Sequence, residues 1–68
     1  MKLSARNQLA GTVKEVHKGA AIANVVVDVG GQRIVSSITV EAADELGLAD
    51  GSQVTVIVKA SDVILAAV

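Results

Sequence analysis

Side chains that can bind an oxyanion occur in three separate segments of this chain of 68 residues. The segment SARNQ (residues 4–8) has a hydroxyl, a guanidinium and two carboxamides before the first apolar strand begins. The segment SSIT (residues 36–39) has three hydroxyls, and KASD (residues 59–62) has an ammonium group and a further hydroxyl. Because arginine and lysine only donate hydrogen bonds and hydroxyls can rotate to donate, these residue types suit an anion with several acceptor oxygens.

Each of these residues also has an ordinary structural explanation. Serine and threonine are common in half-buried strands, Lys59 can extend from a sheet edge into solvent, and Asp62 can form a turn. The residue types alone therefore leave two interpretations open, an oxyanion site and a set of unrelated surface groups.

No set of residues in the chain is marked out for catalysis or for binding a metal. The chain has no cysteine, and its one histidine, His17, lies in a predicted turn (HKG) with no evident serine–aspartate partnership. The carboxylates concentrate on a short predicted helix and on turns, where capping and solvation explain them. The glycines match neither a phosphate-binding loop nor a dinucleotide-binding fingerprint, and one histidine without cysteine cannot form a metal cage. We therefore predict a protein that is not an enzyme and has neither a metal centre nor an organic cofactor.

The composition predicts a single domain, residues 1–68, that associates with copies of itself. Hydrophobic residues make up 51% of the chain, yet there is no Phe, Tyr or Trp and no cysteine for a disulfide. A core of this size is marginal without a covalent or metal staple. The surplus of aliphatic surface therefore indicates oligomerisation, with an unusually apolar monomer as the alternative.

The sequence argues against a membrane or a nucleic acid as partner. The charge-free stretch at residues 19–27 is about half as long as a membrane-spanning helix. The first eight residues (MKLSARNQ) lack the apolar core of a signal peptide, so we expect a cytoplasmic location. The net charge of −1 gives no reason to expect a polyanion or an anionic membrane surface as partner.

Hydrophobic periodicity predicts five strands and one short helix. The strands are predicted at residues 8–16, 20–29, 32–39, 54–60 and 63–68. Gly30 and Gly31 predict a two-residue hairpin between the second and third strands, and Gly11 predicts a bulge or a close approach in the first. The helix is expected to begin after Thr39 as its N-cap and to end before Gly47.

The order β-β-β-α-β-β predicts an all-β domain with one short helix, an OB-fold-like five-stranded Greek-key barrel. In the fourth strand, Val54, Val56 and Val58 share one face, but Ile57 makes the opposite face partly apolar as well. We expect a neighbouring copy to cover this surplus. OB folds often bind single-stranded nucleic acid through aromatic platforms in a basic groove. Because the chain is slightly acidic and has no aromatic residue, a nucleic-acid module and a purely structural oligomer are the alternatives to an oxyanion-binding protein.

Three segments together resemble the molbindins, the small molybdate-binding (Mop) proteins of the TOBE/Mop domain class. These segments are SARNQLAGTV (residues 4–13), SSIT before the helix, and LGLADGSQVTVIVKASDVIL (residues 46–65). The resemblance extends over residues 3–65, and its most specific part is SARNQ followed much later by VKASDV. The length of the chain resembles a free-standing molbindin rather than the same domain fused into molybdate-responsive regulators or importer ATPases.

The resemblance implies a cytoplasmic homo-hexamer, a trimer of dimers, that binds and stores molybdate or tungstate between subunits. It implies that a second subunit contributes Thr39 with its neighbourhood, including Ser37. The residues that match the family pattern for the first subunit are Ser4, Ala5, Arg6, Lys59, Ala60 and Ser61.

Some molbindins have a second type of site near a three-fold axis. The residues in the matching turn of this chain are Lys18, Gly19 and Ala20. The family also often has a hydroxyl just inside the helix, where this chain has Ala42, so the resemblance does not imply that hydrogen bond here.

Overall fold

The structure, a computed structural model, describes residues 2–68 of the chain. Within these residues the regular elements are four strands, one short α-helix and one 3₁₀ turn. The strands are β1 (Asn7–Lys18), β2 (Ile22–Val29), β3 (Gln32–Thr39) and β4 (Gln53–Val58), the helix is α1 (Val40–Glu45), and the 3₁₀ turn is Ala60–Asp62.

The four strands form one antiparallel sheet in the order β3-β2-β1-β4. The first three strands follow one another along the chain, and β4 returns through α1 to lie beside β1. This is the strand order of a Greek key. The predicted fold class is confirmed: the domain is mostly antiparallel sheet, with one short helix between the third and fourth strands.

The turn between β2 and β3 is the two-residue hairpin that the sequence predicts. Val29 pairs with Gln32, and the residues between them, Gly30 and Gly31, have φ angles of 56° and 88°. A turn with two positive φ angles matches the twist of the flanking strands, and glycine adopts it without steric cost. The turn therefore fixes the register of the hairpin, and β3 has the bounds predicted for it.

Gly11 in β1 is a point of close approach between two strands. A Cβ atom at this position would lie 2.6 Å from Cγ1 of Val27 and 3.1 Å from the backbone oxygen of Asp28. The close approach is thus confirmed, while the bulge in β1 lies further along, between Val13 and Glu15, where the register against β2 shifts.

The inner face of the sheet carries an entirely aliphatic core. Its buried side chains are Val13 from β1 and Val25 and Val27 from β2. Partly buried aliphatic side chains pack against them, namely Val16, Val29, Ile38, Leu48, Val54 and Val56. The core borders a cavity of about 170 Å³ on the inner face of the sheet, which is lined by residues of all four strands and by Leu46 and Leu48 after the helix.

The helix begins and ends where the capping residues predict. The Thr39 hydroxyl accepts a hydrogen bond from the backbone N–H of Ala42 at 3.0 Å. At the other end, Gly47 has a φ of 62°, and its N–H donates to the carbonyl of Asp44. The N–H of Leu48 donates to the carbonyl of Ala43. This pair of bonds is the Schellman ending, and it holds α1 to less than two turns.

The prediction of a fifth strand at residues 63–68 is wrong. These six residues have no regular secondary structure and are exposed throughout, with Ile64 92% and Leu65 88% exposed. The fourth strand ends at Val58, before the predicted residue 60, because a 3₁₀ turn follows it. An apolar run becomes a strand only where a sheet edge pairs with it, and residues 63–68 pair with no strand of their own chain.

The first strand extends to Lys18, two residues beyond its predicted end. The prediction of a turn at residues 17–19 (HKG) is therefore wrong for its first two residues. The β1–β2 ladder continues until Lys18 pairs with Ala23, so His17 lies in a strand rather than in a turn. The turn begins at Gly19, whose N–H donates to the carbonyl of Ile22 at 2.8 Å. Pairing with β2 stabilises an extended conformation that the local sequence does not favour.

Candidate functional site

The first group of candidate residues lies where β1 begins and β4 ends. Asn7 and Val58 form the last pair of the β1–β4 ladder, and Nδ2 of Asn7 donates a hydrogen bond to the carbonyl of Val58 at 3.1 Å. Because the strands are antiparallel, the residues before Asn7 and after Val58 leave the sheet at the same end. We call this the basic end, defined by residues 4–6 and 59–61.

The basic end presents two cations and two hydroxyls to solvent. Ser4, Arg6, Lys59 and Ser61 are all exposed, as is Ala60, and Ala5 is half-buried. The 3₁₀ turn holds the second segment in place, since the N–H of Asp62 donates to the carbonyl of Lys59 at 2.9 Å. Every candidate side chain here with a polar group can donate a hydrogen bond.

The second group lies around the start of α1. Thr39 is the last residue of β3, and the N–H of Val40 donates to the carbonyl of Ala21 at 2.8 Å, which ties the start of the helix to the turn before β2. An open groove of about 590 Å³ lies at this position. It is lined by Ala20, Ala21, Thr39, Val40, Glu41, Asp44 and Glu45. We call this region the acidic end, because three of the seven lining residues are carboxylates.

The Thr39 hydroxyl can cap the helix and bind an anion at the same time. Its oxygen accepts the hydrogen bond from the N–H of Ala42, and its own proton is still available for donation. Thr39 is exposed, and Ser37, two residues earlier and therefore on the same face of β3, is exposed as well. Ala42 offers no further donor, because its N–H is engaged in the cap and its side chain is a methyl group.

The turn residues predicted for a second site also lie at the acidic end. Nζ of Lys18 lies 2.6 Å from Oδ1 of Asp44, so its charge is paired with a carboxylate of the helix. The N–H of Gly19 donates to the carbonyl of Ile22, and Ala20 lines the groove. Two of the donors proposed for this second site are thus engaged within the chain.

The two ends are separated by the full length of β1. This strand has 12 residues, which at the usual rise of a strand span roughly 35 Å, and the largest dimension of the chain is 35 Å. Its first residue, Asn7, lies at the basic end and its last, Lys18, at the acidic end. A single anion cannot contact Arg6 and Thr39 of the same chain. The candidate residues therefore form two half-sites.

Two charged pairs were not predicted from the sequence. Nε2 of His17 lies 2.7 Å from Oε2 of Glu15, and this hydrogen bond, followed by the charge of His17, lowers the pKa of Glu15. Residues two positions apart lie on the same face only within a strand. The contact between Glu15 and His17 can therefore be expected only once β1 is known to include His17. The pair of Lys18 with Asp44 joins residues 26 positions apart, and no local pattern indicates it.

Among residues 2–68, no group of three or more His, Cys, Asp or Glu residues is placed to hold a metal ion. In the same range, no helix has the length and apolar character needed to cross a membrane.

The TOBE domain family matches residues 3–65 of the chain. The chain belongs to the TOBE family. Molybdenum-pterin-binding protein 2 of Clostridium pasteurianum is 43% identical to it, over 98% of this chain and 100% of its own length. A molybdate-binding protein from Sporomusa ovata has a solved structure with a TM-score of 0.94 and 40% identity, covering 98% of this chain and 100% of its own. The cytoplasmic molybdate-binding protein ModG, solved with molybdate bound, gives a TM-score of 0.90 and 48% identity over 94% of this chain and 46% of its own.

These similarities confirm the resemblance to the Mop proteins. This TOBE chain is a member of a family of molybdate- and molybdenum-pterin-binding proteins. The relatives named above are binding proteins by name, and none is named as an enzyme. The structural similarity extends over nearly the whole chain, so this chain shares its fold with solved molybdate-binding proteins.

Proposed function

We propose that this chain binds molybdate or tungstate at sites between copies of itself in a cytoplasmic homo-hexamer, a trimer of dimers, and thereby stores the anion. The observation that carries the proposal is the separation of the two half-sites by the length of β1. Residues that resemble one oxyanion site lie at opposite ends of a single chain, so they can act together only when two copies meet. Each copy then contributes its basic end to one site and its acidic end to another.

The charges of the two ends support this arrangement. The acidic end has three carboxylates, and its nearest cation, Lys18, is already paired with Asp44. A dianion would be repelled from this end of an isolated chain. The basic end of a second copy would add Arg6 and Lys59, which supply the positive charge that the anion needs.

The donors suit a fully deprotonated tetrahedral anion. Arg6 and Lys59 have only donors, and the hydroxyls of Ser4, Ser61 and Thr39 can rotate to donate. Ala5 and Ala60 have no polar side chain, so their contribution to the site would come from their backbone N–H groups. None of these groups is a nucleophile or a general base with a partner, so we infer binding and release without chemical change, and no organic cofactor.

We keep Lys18, Gly19 and Ala20 as a proposed second site. For an anion to bind there, the ammonium group of Lys18 must exchange Asp44 for the ligand or contact both. The second site should therefore bind more weakly than the site between the two ends.

A calorimetric titration with molybdate, tungstate, sulfate and phosphate tests the proposed ligand, and light scattering measures the mass of the assembly. We expect binding of molybdate and tungstate by a particle of six chains. Retention of an oligonucleotide with a steep salt dependence would favour the nucleic-acid alternative instead. An oligomer whose melting temperature does not respond to any oxyanion would favour a purely structural role.

A complementation experiment tests whether the site is shared between copies. One variant, Arg6→Gln with Lys59→Gln, loses the basic end, and a second, Thr39→Asp, places a repelling carboxylate at the acidic end. Neither should bind molybdate alone. Particles that contain both variants, made by co-expression, should recover about one site in four, since random assembly brings an intact basic end to an intact acidic end with that frequency.

The matched control is Lys14→Gln with Arg33→Gln, which removes one lysine and one arginine charge from a different part of the sheet and should bind normally. Failure of the mixed particles to bind more molybdate than the two variants measured separately would contradict a site shared between copies.

A further inference from the structure

Asn7 is a polar residue on the apolar face of the sheet. Because side chains of a strand alternate between its two faces, Asn7 shares the core side of β1 with Leu9, Gly11 and Val13. It is half-buried there, at a position where the alternation favours an apolar side chain. A half-buried carboxamide on such a face needs a hydrogen-bond partner, and that partner indicates its role.

The partner of Asn7 lies on the other strand of the basic end. Nδ2 of Asn7 donates a hydrogen bond to the carbonyl of Val58 at 3.1 Å, and the two residues face each other in the last pair of the β1–β4 ladder. They are 51 positions apart in the sequence, so no local structure holds them together. The bond joins the residue directly after Arg6 to the residue directly before Lys59.

Within residues 2–68, no other side-chain hydrogen bond joins the two strands at the basic end. The only further one between β1 and β4 in this range connects Thr12 with Gln53, at the opposite end of the ladder. The backbone hydrogen bonds of the 3₁₀ turn stay within residues 59–63. Beyond the ladder itself, the placement of residues 4–6 relative to residues 59–61 therefore depends on the contact between Asn7 and Val58.

Two like charges follow this contact directly. Arg6 and Lys59 each lie one residue beyond the last pair of the ladder, and both are exposed. Lys59 keeps an extended conformation, with φ −63° and ψ 136°. Like charges at facing positions of neighbouring strands destabilise the pairing of those strands. Repulsion between the two cations therefore favours separation of the segments, and the hydrogen bond of Asn7 opposes it.

We propose that Asn7 is a positioning residue, which holds Arg6 and Lys59 at the spacing of a molybdate-sized anion and so sets the preference for molybdate over sulfate. This role rests on the proposed function, because it concerns the same oxyanion site. The donor group of Asn7 is engaged with Val58, so Asn7 acts through its neighbours rather than by contact with the ligand.

The physical basis of this role is preorganisation. Donors that are already held at the required spacing lose little freedom when the anion binds. Sulfate is the smaller ion, so the two cations must move closer together to contact it, and the fixed end of the ladder resists that movement. Without the hydrogen bond of Asn7, the segments are free to close on the smaller ion and must first be ordered to bind the larger one.

Asn7→Leu removes the hydrogen bond and keeps nearly the same side-chain shape. Leucine suits the apolar face, so the stability measured by chemical denaturation should change little. In calorimetric titration, the affinity for molybdate should fall by about 3-fold to 10-fold, the equivalent of one neutral hydrogen bond. The affinity for sulfate should change little, so the ratio of the two affinities falls. A residue that only supports the fold would not change this ratio.

A disulfide in place of the hydrogen bond provides the rescue, because the chain has no cysteine of its own. In Asn7→Cys with Val58→Cys, the two sulfurs lie on the same face of directly opposite residues, whose Cα separation allows a disulfide. The reduced protein should bind like Asn7→Leu. Oxidation should restore the affinity and the preference of the wild type, with the same two substitutions present in both states.

The matched control is Ala10→Cys with Thr55→Cys, an exposed pair in the middle of the same ladder. Its disulfide joins the same two strands away from the basic end. Oxidation of this control should leave the affinities for molybdate and sulfate unchanged. The restoring effect is therefore expected only where the disulfide lies next to Arg6 and Lys59.

The other outcomes separate the positioning role from the proposed function. A wild-type protein that binds no oxyanion would reject both. If the wild type binds molybdate and Asn7→Leu binds molybdate and sulfate with the same affinities as the wild type, only the positioning role is rejected. Equal losses for both anions in Asn7→Leu, or an oxidised Asn7→Cys with Val58→Cys protein that binds no better than its reduced form, would show that Asn7 serves the fold and not the site.

Discussion

Replacing Thr39 separates its capping role from its proposed binding role. Its hydroxyl accepts the N–H of Ala42 at 3.0 Å and faces the groove at the acidic end. Thr39→Val removes both functions, because valine has the same shape and no hydroxyl. Thr39→Asp keeps a good N-cap but adds a negative charge, and Thr39→Ser keeps the hydroxyl for both functions.

The expected magnitudes follow from these two hydrogen bonds. Loss of a threonine N-cap costs about 0.5–2 kcal/mol of stability, so Thr39→Val should lower the melting temperature in the absence of ligand, while Thr39→Asp and Thr39→Ser should change it less. A hydrogen bond to a charged group is worth about 1.5–3 kcal/mol, which corresponds to a loss of affinity of about 10-fold to 100-fold in Thr39→Val. Thr39→Asp should bind still more weakly, because its carboxylate repels the anion.

Thermal unfolding without ligand and calorimetric titration with molybdate measure the two effects on the same samples. Thr39→Val should be the least stable of the four proteins, with the wild type, Thr39→Ser and Thr39→Asp above it. In affinity for molybdate, the wild type and Thr39→Ser should be the strongest, Thr39→Val weaker and Thr39→Asp the weakest. The difference between the two orders is the decisive result. Wild-type affinity in Thr39→Asp would refute the placement of the anion at the acidic end, and equal stability in all four proteins would refute the capping role.

Four further predictions concern packing, ion pairs and selectivity. Gly11→Ala should lower the free energy of unfolding by about 1–3 kcal/mol through overlap with its neighbours, measured by chemical denaturation. Gly19→Ala should cost less, since its Cβ would make one tight contact, with the backbone oxygen of Ile22 at 3.2 Å, instead of the three at Gly11. Asp44→Asn should cost at most about 1 kcal/mol, because its ion pair is half exposed, and should raise the number of anions bound in a titration if Lys18 serves a second site. Because the pKa of Glu15 is lowered, its pairing with His17 stabilises the fold fully at a pH above the ordinary carboxyl pKa of 4.5. This stabilisation is lost as the pH falls through the lowered pKa. An NMR titration of the His17→Gln variant should show the pKa of Glu15 moving back up. Molybdate and tungstate should bind alike, sulfate more weakly because it is the smaller ion, and phosphate most weakly. Arg6 and Lys59 cannot accept the proton that phosphate retains, and a hydroxyl that turns to accept it loses its own donated hydrogen bond to the anion. Equal competition by phosphate would contradict this order.

The sequence predicts those parts of the fold that depend on neighbouring residues. Two consecutive glycines define the turn between β2 and β3, and Thr39 and Gly47 mark the ends of α1, because each signal acts within a few residues. The length of β1 depends instead on its partner, since pairing of Lys18 with Ala23 extends the strand past the predicted turn. Residues 63–68 have the apolar pattern of a strand, but no edge of the sheet in the described residues pairs with them, and the pattern alone does not show this.

The candidate site is predictable to a different extent. The resemblance proposes the candidate members of both half-sites, because SARNQ followed much later by VKASDV is a specific combination, whereas the residue types alone leave an ordinary structural explanation open. Their placement is set by the register of β1 against β4, in which Asn7 pairs with Val58, and by the length of β1. Neither is a local property. The pairing of Lys18 with Asp44 depends in the same way on how α1 packs beside the start of β2, and spacing of 26 residues along the chain gives no hint of it.

Dividing the site between two ends would make binding depend on assembly. An isolated acidic end repels an anion, and an isolated basic end holds Arg6 and Lys59 exposed to water, where single ion contacts are weak. Contact between copies would place the anion between opposite charges and exclude water, so each half would need the other for useful affinity. Because the ligand would then bind the assembled state and not the separate chains, saturation at a hundredfold excess over Kd would stabilise the assembly by about 2.7 kcal/mol per site. The same linkage requires that dilution, which separates the copies, should release the anion.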